Sequence, residues 1–206
     1  MSGPEYEVLD QPMCDVRASP TEYLSIELRA HELLHGVPLY DVSAVDLPSG
    51  GEGRSIADIR MLDSASPPSR LVKALFRVRL VVGRVFGWDR IQMRPSDSLL
   101  SLLSERDRRD SEIAPGTPDG PFRLLYRFQR EQLSEIRNAT VQGYVCLALV
   151  PTAIGYRLYF AVYVLPVSWL TRPYLIAIEP FRRFLVYPAM LLRIRRAWTT
   201  AYRATG

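Results

Sequence analysis

Two cysteines, two histidines and a single lysine, Lys73, are all that 206 residues supply of those types. Cys14 lies in a polar N-terminal segment and Cys146 in an apolar run, so neither a disulfide framework nor a Cys-x-x-Cys metal pair exists. Such cysteine usage fits a reducing cytoplasm. No apolar run reaches the ~20 residues needed to span a bilayer. The most lipid-like stretch, Tyr156 to Leu170, contains Arg157 and Pro166, and the next is broken by Glu179, Arg182 and Arg183. No integral membrane segment is therefore expected. The N-terminus lacks the basic-then-apolar pattern of a signal peptide. The net charge of +4 comes from arginines scattered among 22 acids, without a tract that alternates basic and aromatic residues, which argues against a nucleic-acid partner. Gly50-Gly51-Glu52-Gly53 opens no helix and has no following Lys-Ser/Thr, so it reads as a hairpin-type turn and not a phosphate loop. A strand–Gly-x-Ser-x-Gly–helix elbow for a serine nucleophile is missing too. No cofactor is called for.

What is present is a globular composition, 48% apolar and 23% charged. Residues 1–19 read as a flexible polar arm and residues 20–206 as one domain. Ser19-Pro20-Thr21-Glu22 is a helix start, with Ser at the N-cap and Pro at the first helical position. The helix is expected to run to Gly36, burying Leu24, Leu28 and Ala30. Val42–Leu47 and Ile56–Leu62 read as strands, the second with Ala57, Ile59 and Met61 on one face and Asp58 and Arg60 on the other. Pro67-Pro68-Ser69 opens an amphipathic helix to about Phe86. Residues 104–121 combine a charge run with a Pro/Gly cluster and read as a solvated loop. Phe122–Arg130, Leu133–Arg137, Thr140–Val150 and Tyr156–Leu165 then read as strands whose short connections imply an antiparallel meander. From Trp169 to Tyr202 helical spacing returns, punctuated by Pro173, Pro180 and Pro188. The expected class is α+β.

Both histidines sit in His31-Glu32-Leu33-Leu34-His35, the spacing at which two imidazoles on a helix bind one zinc ion and the intervening Glu acts as base. No third histidine exists, so Glu52 or Asp58 would have to complete the set. Gly36 and Pro38 also put His35 in the helix's last turn, where an imidazole serves as a dipole partner. The metal assignment is accordingly none, with His31 and His35 as the alternative.

The richer chemistry lies further along. In the strand ending at Arg137, Leu133, Glu135 and Arg137 share a face. Glu135 and Arg137 either hold a polar group in a cavity or pair with each other on a solvated face. Tyr156–Leu165 is apolar on both faces, and with Tyr126 and Tyr144 on neighbouring strands several phenols can face one space. Phenols, with an apolar body and a polar tip, suit both a small-molecule pocket and ordinary packing.

The segments LLHGVPLYDVSAVDLP (ending at Pro48), EIRNATV (from Glu135), YRLYFAVYVLPVS (from Tyr156) and IEPFRRFLVYP (ending at Pro188) together resemble a bacterial family of unknown function, found alone or fused to NmrA-like short-chain reductases. The resemblance implies the START-related, SRPBCC-type helix-grip fold, in which an antiparallel sheet wraps a long C-terminal helix around a hydrophobic cavity. It further implies histidines in the Thr-Val strand and before the Asp-Val pair, where this chain has Gln142-Gly143 and Tyr40. On this basis the expected function is binding of a hydrophobic or aromatic small molecule between sheet and C-terminal helix. Arg60, Glu135, Arg137 and Tyr144 would make polar contacts, and Tyr126, Tyr159 and Trp169 would form walls. The alternative is a cofactor-free cyclase, isomerase or hydrolase with Glu135 or Asp58 as base. A reductase partner follows from the resemblance alone, and a homodimer is a further expected partner.

Overall fold

A computed structural model describes residues 16, 18–65, 98–137, 141–166, 179 and 186–202. The chain is α+β. Its described elements are α1 (Pro20–Leu24), α2 (Arg29–Leu33), β1 (Leu39–Pro48), α3 (Ile56–Ala65), a 3-10 turn (Leu99–Leu102) and α4 (Glu105–Asp110), then β2 (Pro118–Asp119), β3 (Phe122–Arg127), β4 (Glu131–Arg137), β5 (Val141–Thr152), β6 (Gly155–Pro166) and α5 (Tyr187–Ala201). The strands make a six-stranded sheet in the order β1-β6-β5-β4-β3-β2, and every pairing is antiparallel.

The meander from β3 to β6 forms as the alternation in the sequence requires. Because side chains alternate across a strand, each strand feeds two cores. On the first face, Val42, Ala44, Tyr126, Leu133, Tyr144, Cys146, Tyr159, Ala161 and Tyr163 pack under Tyr23, Ala30 and Leu34 from α1, α2 and the turn after them. On the second, Val45, Leu47, Leu147, Leu149, Tyr156 and Leu158 pack against Ile56 and Ile59 of α3 and Leu191, Ile194 and Trp198 of α5. A β6 strand apolar on both sides is thus covered on both. The β1 edge of the sheet is occupied by Val16 and Ala18, which bond to Ala44 and Val42, and beside the two-residue β2 the residues Glu112, Gly116 and Thr117 bond to β3.

Three expectations are corrected. Ile56–Leu62 is not a strand but the start of α3. The cause is local: the backbone N–H of Ser55 donates to Asp58 at 2.8 Å, and the Asp58 N–H donates to the Ser55 hydroxyl at 3.4 Å, a reciprocal cap that starts a helix. Ile56 and Ile59, three apart, then face the sheet. The solvated loop at 104–121 contains α4, started by the same device between Ser104 and Asp107. Instead of one helix to Gly36 there are two of 5 residues each, with an extended Leu28 between them. Helical spacing resumes at Arg29 because a sheet residue, Glu131, takes the first N–H groups of α2. At the C-terminus, Pro188 lies in the first turn of α5, where its fixed φ costs nothing. The helix expected at 67–86, and Pro173, Pro180 and Trp169, lie outside the described residues.

α5 is fastened by one loop. Trp198 donates its indole N–H to Pro48 at 3.0 Å, and its ring lies against Gly50, which holds φ +100 where a Cβ would meet the indole at 2.4 Å. The Tyr156 hydroxyl donates to the Gly51 carbonyl at 3.0 Å, and the Arg54 guanidinium sits 3.9 Å above the Tyr202 ring.

Candidate functional site

β4 and β5 pair so that Glu135 lies opposite Tyr144 and Arg137 opposite Gln142. Alternation turns all four toward the first face, in two adjacent rows. Glu135 is 5% exposed and Tyr144 1%. The Gln142 amide donates to the Tyr144 phenol at 2.6 Å, and the Ser98 hydroxyl donates to Glu135 at 2.5 Å. Arg123 stands across from Glu135 on β3. Burial raises the Tyr144 phenol above its ordinary range; the Gln142 hydrogen bond lowers it, while the Glu135 and Arg137 charges act in opposite directions. A buried carboxylate, a guanidinium, an amide and a phenol therefore share one end of a face that is otherwise apolar and phenolic.

Next to this quartet the face is filled by protein. Tyr163 is opposite Tyr144, and its hydroxyl lies 3.3 Å from that of Tyr23. The Tyr159 hydroxyl donates to Glu22 at 2.5 Å. Burial pushes Tyr159 and Tyr163 each up to about 12, and lifts the enclosed Cys146 thiol well above its usual value. Tyr126 stacks on Phe128 with ring centres 4.4 Å apart. These phenols are neutral at physiological pH and serve as hydrogen-bonding packing groups.

Tyr126 leads to a residue that sequence reading passed over. Its hydroxyl donates at 2.5 Å to Glu131, which also accepts the backbone N–H groups of Arg29 at 2.9 Å and Ala30 at 2.7 Å. Burial raises the Glu131 carboxyl, against these three hydrogen bonds and the charge of Arg29, which all lower it. The signal was available: Glu131 follows Leu133, Glu135 and Arg137 backwards on the same alternating face. Arg29 itself grips Asp107 with two bonds, at 3.1 and 2.9 Å. Burial pushes Asp107 up, but hydrogen bonds from Arg29 and Ser104 outweigh it and hold the carboxyl below its ordinary value.

The remaining sequence-chosen residues are elsewhere. Arg60 projects from α3 and pairs with Asp119 at 2.6 and 2.7 Å. Asp58 caps α3 and accepts from Tyr202 at 3.3 Å. Both belong to the side carrying α3 and α5, opposite the quartet. Consequently Tyr126, Glu135, Arg137, Tyr144 and Tyr159 share a face, but it is the face turned away from the C-terminal helix. The positions at which the resemblance implies histidines are divided as well. Gln142 is on the first face, whereas Tyr40, displaced by an irregularity in β1, packs with Val162, Val164 and Tyr187 on the second.

α2 ends at Leu33, so His35 lies beyond the helix and is exposed. His31 is half-buried with its ring edge-on to Tyr23, centres 5.0 Å apart, and burial lowers its pKa. Its Nε2 is enclosed without a hydrogen-bond partner. The two imidazoles thus occupy different environments. No group of three or more His, Cys, Asp or Glu side chains among the described residues is placed to hold a metal ion.

Residues 33–189 match the family DUF2867, described as protein of unknown function. The chain belongs to this family. No curated protein and no solved structure matches it. The DUF2867 match spans the quartet, Glu131 and the whole sheet, and begins past α1 and most of α2. No helix among the described residues of this DUF2867 chain is long and apolar enough to cross a membrane.

Proposed function

We propose that this DUF2867 protein binds a small hydrophobic or aromatic molecule with a polar head group on the first face of its sheet. The observation that carries the reading is the quartet of Glu135, Arg137, Gln142 and Tyr144, held in register on two adjacent strands at one end of an apolar, phenol-rich face. A few convergent polar groups beside apolar surface are what orient a small ligand. Arg137 and Gln142 supply donors to an acidic or carbonyl head, and Glu135 accepts from a hydroxyl or amine. The antiparallel sheet crossed by a C-terminal helix supports placing the domain in the helix-grip class. The ligand site in this reading nevertheless lies opposite α5, because the quartet does: Leu191, Ile194 and Trp198 pack on the other face. The sparse cysteine usage, with Cys146 a buried free thiol, supports a cytoplasmic location.

A second reading draws on the burial of Glu135 beside the Tyr144 phenol: a cofactor-free enzyme, with Glu135 as base and Tyr144 or Arg137 stabilising an enolate. Such chemistry needs a carboxylate withdrawn from water next to a donor.

Thermal-shift titration with a panel of aromatic carboxylic acids, medium-chain fatty acids and polycyclic ketones tests the binding reading. At least one class is expected to raise the melting temperature of the wild type and to lose that effect in Arg137→Ala. A panel that leaves the wild type unmoved, or stabilises Arg137→Ala equally, contradicts it.

A further inference from the structure

The roof over the first face is built unlike the sheet beneath it. It enters from Val16 and Ala18, bonded to the edge of β1, and returns at Leu39, the start of β1. Between these anchors lie two helices of 5 residues, neither capped by its own N-cap side chain. Helices this short have no independent stability. Gly36, at φ +84 with open space around it, turns the chain back toward the sheet.

Four polar stitches hold the segment down, the first being the Tyr23 hydroxyl on α1 against that of Tyr163 on β6 at 3.3 Å. Glu22 on α1 accepts from Tyr159 at 2.5 Å and faces Arg157 at 3.3 Å. Glu131 on β4 accepts the first two N–H groups of α2. Arg29 on α2 holds Asp107 on α4 with two bonds. Between the stitches Tyr23, Ala30 and Leu34 are buried in the core, and Ile26, Leu28, Leu33 and Val37 pack partly buried against it. Below them lie Cys146, Tyr159 and Tyr163, continuous with Tyr144 of the quartet through the Tyr144–Tyr163 pairing.

We propose that residues 19–38 form a strap that opens as a unit on its four polar stitches, uncovering Cys146, Tyr159 and Tyr163 while the sheet stays folded. Both ends of the strap remain tied to β1, so opening frees little chain and needs no ladder bond of the sheet to break. Segments with few buried side chains and polar anchoring are those that open sub-globally in native proteins. The role of the open strap as the entrance for a ligand rests on the binding reading above; the opening itself does not.

Cys146 reports the motion, since it is fully enclosed when the strap is down. In a Cys14→Ser background it is the sole thiol, and its reaction with 5,5′-dithiobis(2-nitrobenzoate) is followed in native buffer. Arg29→Ala, which cuts the stitch to Asp107, is expected to speed labelling about tenfold or more, the scale of losing a charge-assisted two-point contact. Glu22→Gln, on a partly exposed side chain, is expected to speed it by a smaller factor. Leu191→Ala provides the contrast: it weakens the opposite core and global stability, yet leaves Cys146 labelling unchanged. The labelling rate is also expected to depend less steeply on urea than global unfolding does, because the sheet and its second core stay folded. Labelling accelerated as much by Leu191→Ala as by Arg29→Ala, or following the steep urea dependence of global unfolding, overturns the strap. In a further arm, saturating 8-anilinonaphthalene-1-sulfonate is expected to slow labelling of the wild type. Strap-type labelling that the dye leaves unslowed keeps the strap and counts against the binding reading.

Discussion

Replacing Glu131 with alanine is the sharpest perturbation of this fold that a single side chain offers. The carboxylate accepts the N–H groups of Arg29 and Ala30 and the hydroxyl of Tyr126. Ala30 and Tyr126 are both fully buried. Each donor left without an acceptor costs about 1–3 kcal/mol, while removing a desolvated carboxylate returns part of that. The net loss is therefore about 2–4 kcal/mol, which for a domain of this size corresponds to a melting temperature lower by about 4–16 °C. Glu131→Gln is expected to fall between wild type and alanine. Its amide oxygen can keep Tyr126 and Ala30, but its NH₂ then opposes the Arg29 N–H. Urea denaturation monitored by far-UV circular dichroism gives both values. A Glu131→Ala protein within about 0.5 kcal/mol of wild type, the scatter of ordinary surface changes, would refute the assignment of Glu131 as the tie between sheet and strap.

The pH dependence carries a definite sign. Burial raises the folded Glu131 carboxyl, so the folded state holds this proton more tightly than the unfolded one. Its contribution to stability is fully present below the ordinary glutamate value of about 4.3 and is lost as pH rises through the raised folded value. The stability difference between wild type and Glu131→Gln, measured by urea titration from acid to neutral pH, is expected to shift against wild type as pH rises; a pH-independent difference contradicts it. His31 acts oppositely, because burial lowers its pKa: its contribution is present above about 6.5 and is lost on acidification, and His31→Gln should remove that loss. Gly50→Ala places a Cβ 2.4 Å from the Trp198 ring at φ +100, and is expected to cost about 2–4 kcal/mol from strain and displacement, with a changed near-UV spectrum. An unchanged denaturation midpoint would contradict the clamp between that loop and α5.

Much of the sheet was legible because its signal is local. Tyr156–Leu165 and Thr140–Val150 are runs rich in β-branched and aromatic residues, short turns separate them, and the antiparallel meander follows. α3 resembles a strand in sequence for an instructive reason: Ala57, Ile59 and Met61 satisfy a period of 2, while Ile56, Ile59 and Leu62 satisfy one near 3.6. The Ser55-Ile56-Ala57-Asp58 cap, which decides between them, was written in the sequence. Ser104 and Asp107 wrote the same sign in the charge run. The break between α1 and α2 was not legible, because a carboxylate about a hundred residues further along causes it. Which face the quartet would occupy was likewise beyond a single strand's alternation. Glu135, Arg137 and Tyr144 could be grouped from sequence, but only the packing of Leu191, Ile194 and Trp198 shows that α5 covers the opposite side.

Binding of a small molecule on the first face, at the Glu135–Tyr144 end, is decided by native mass spectrometry of protein purified gently and without detergent. A non-covalently bound small-molecule mass is expected on the wild type and is lost in the double variant Glu135→Ala/Arg137→Ala, while both proteins remain folded. A wild type that carries only its own mass, or a double variant that retains the same bound species, would contradict it.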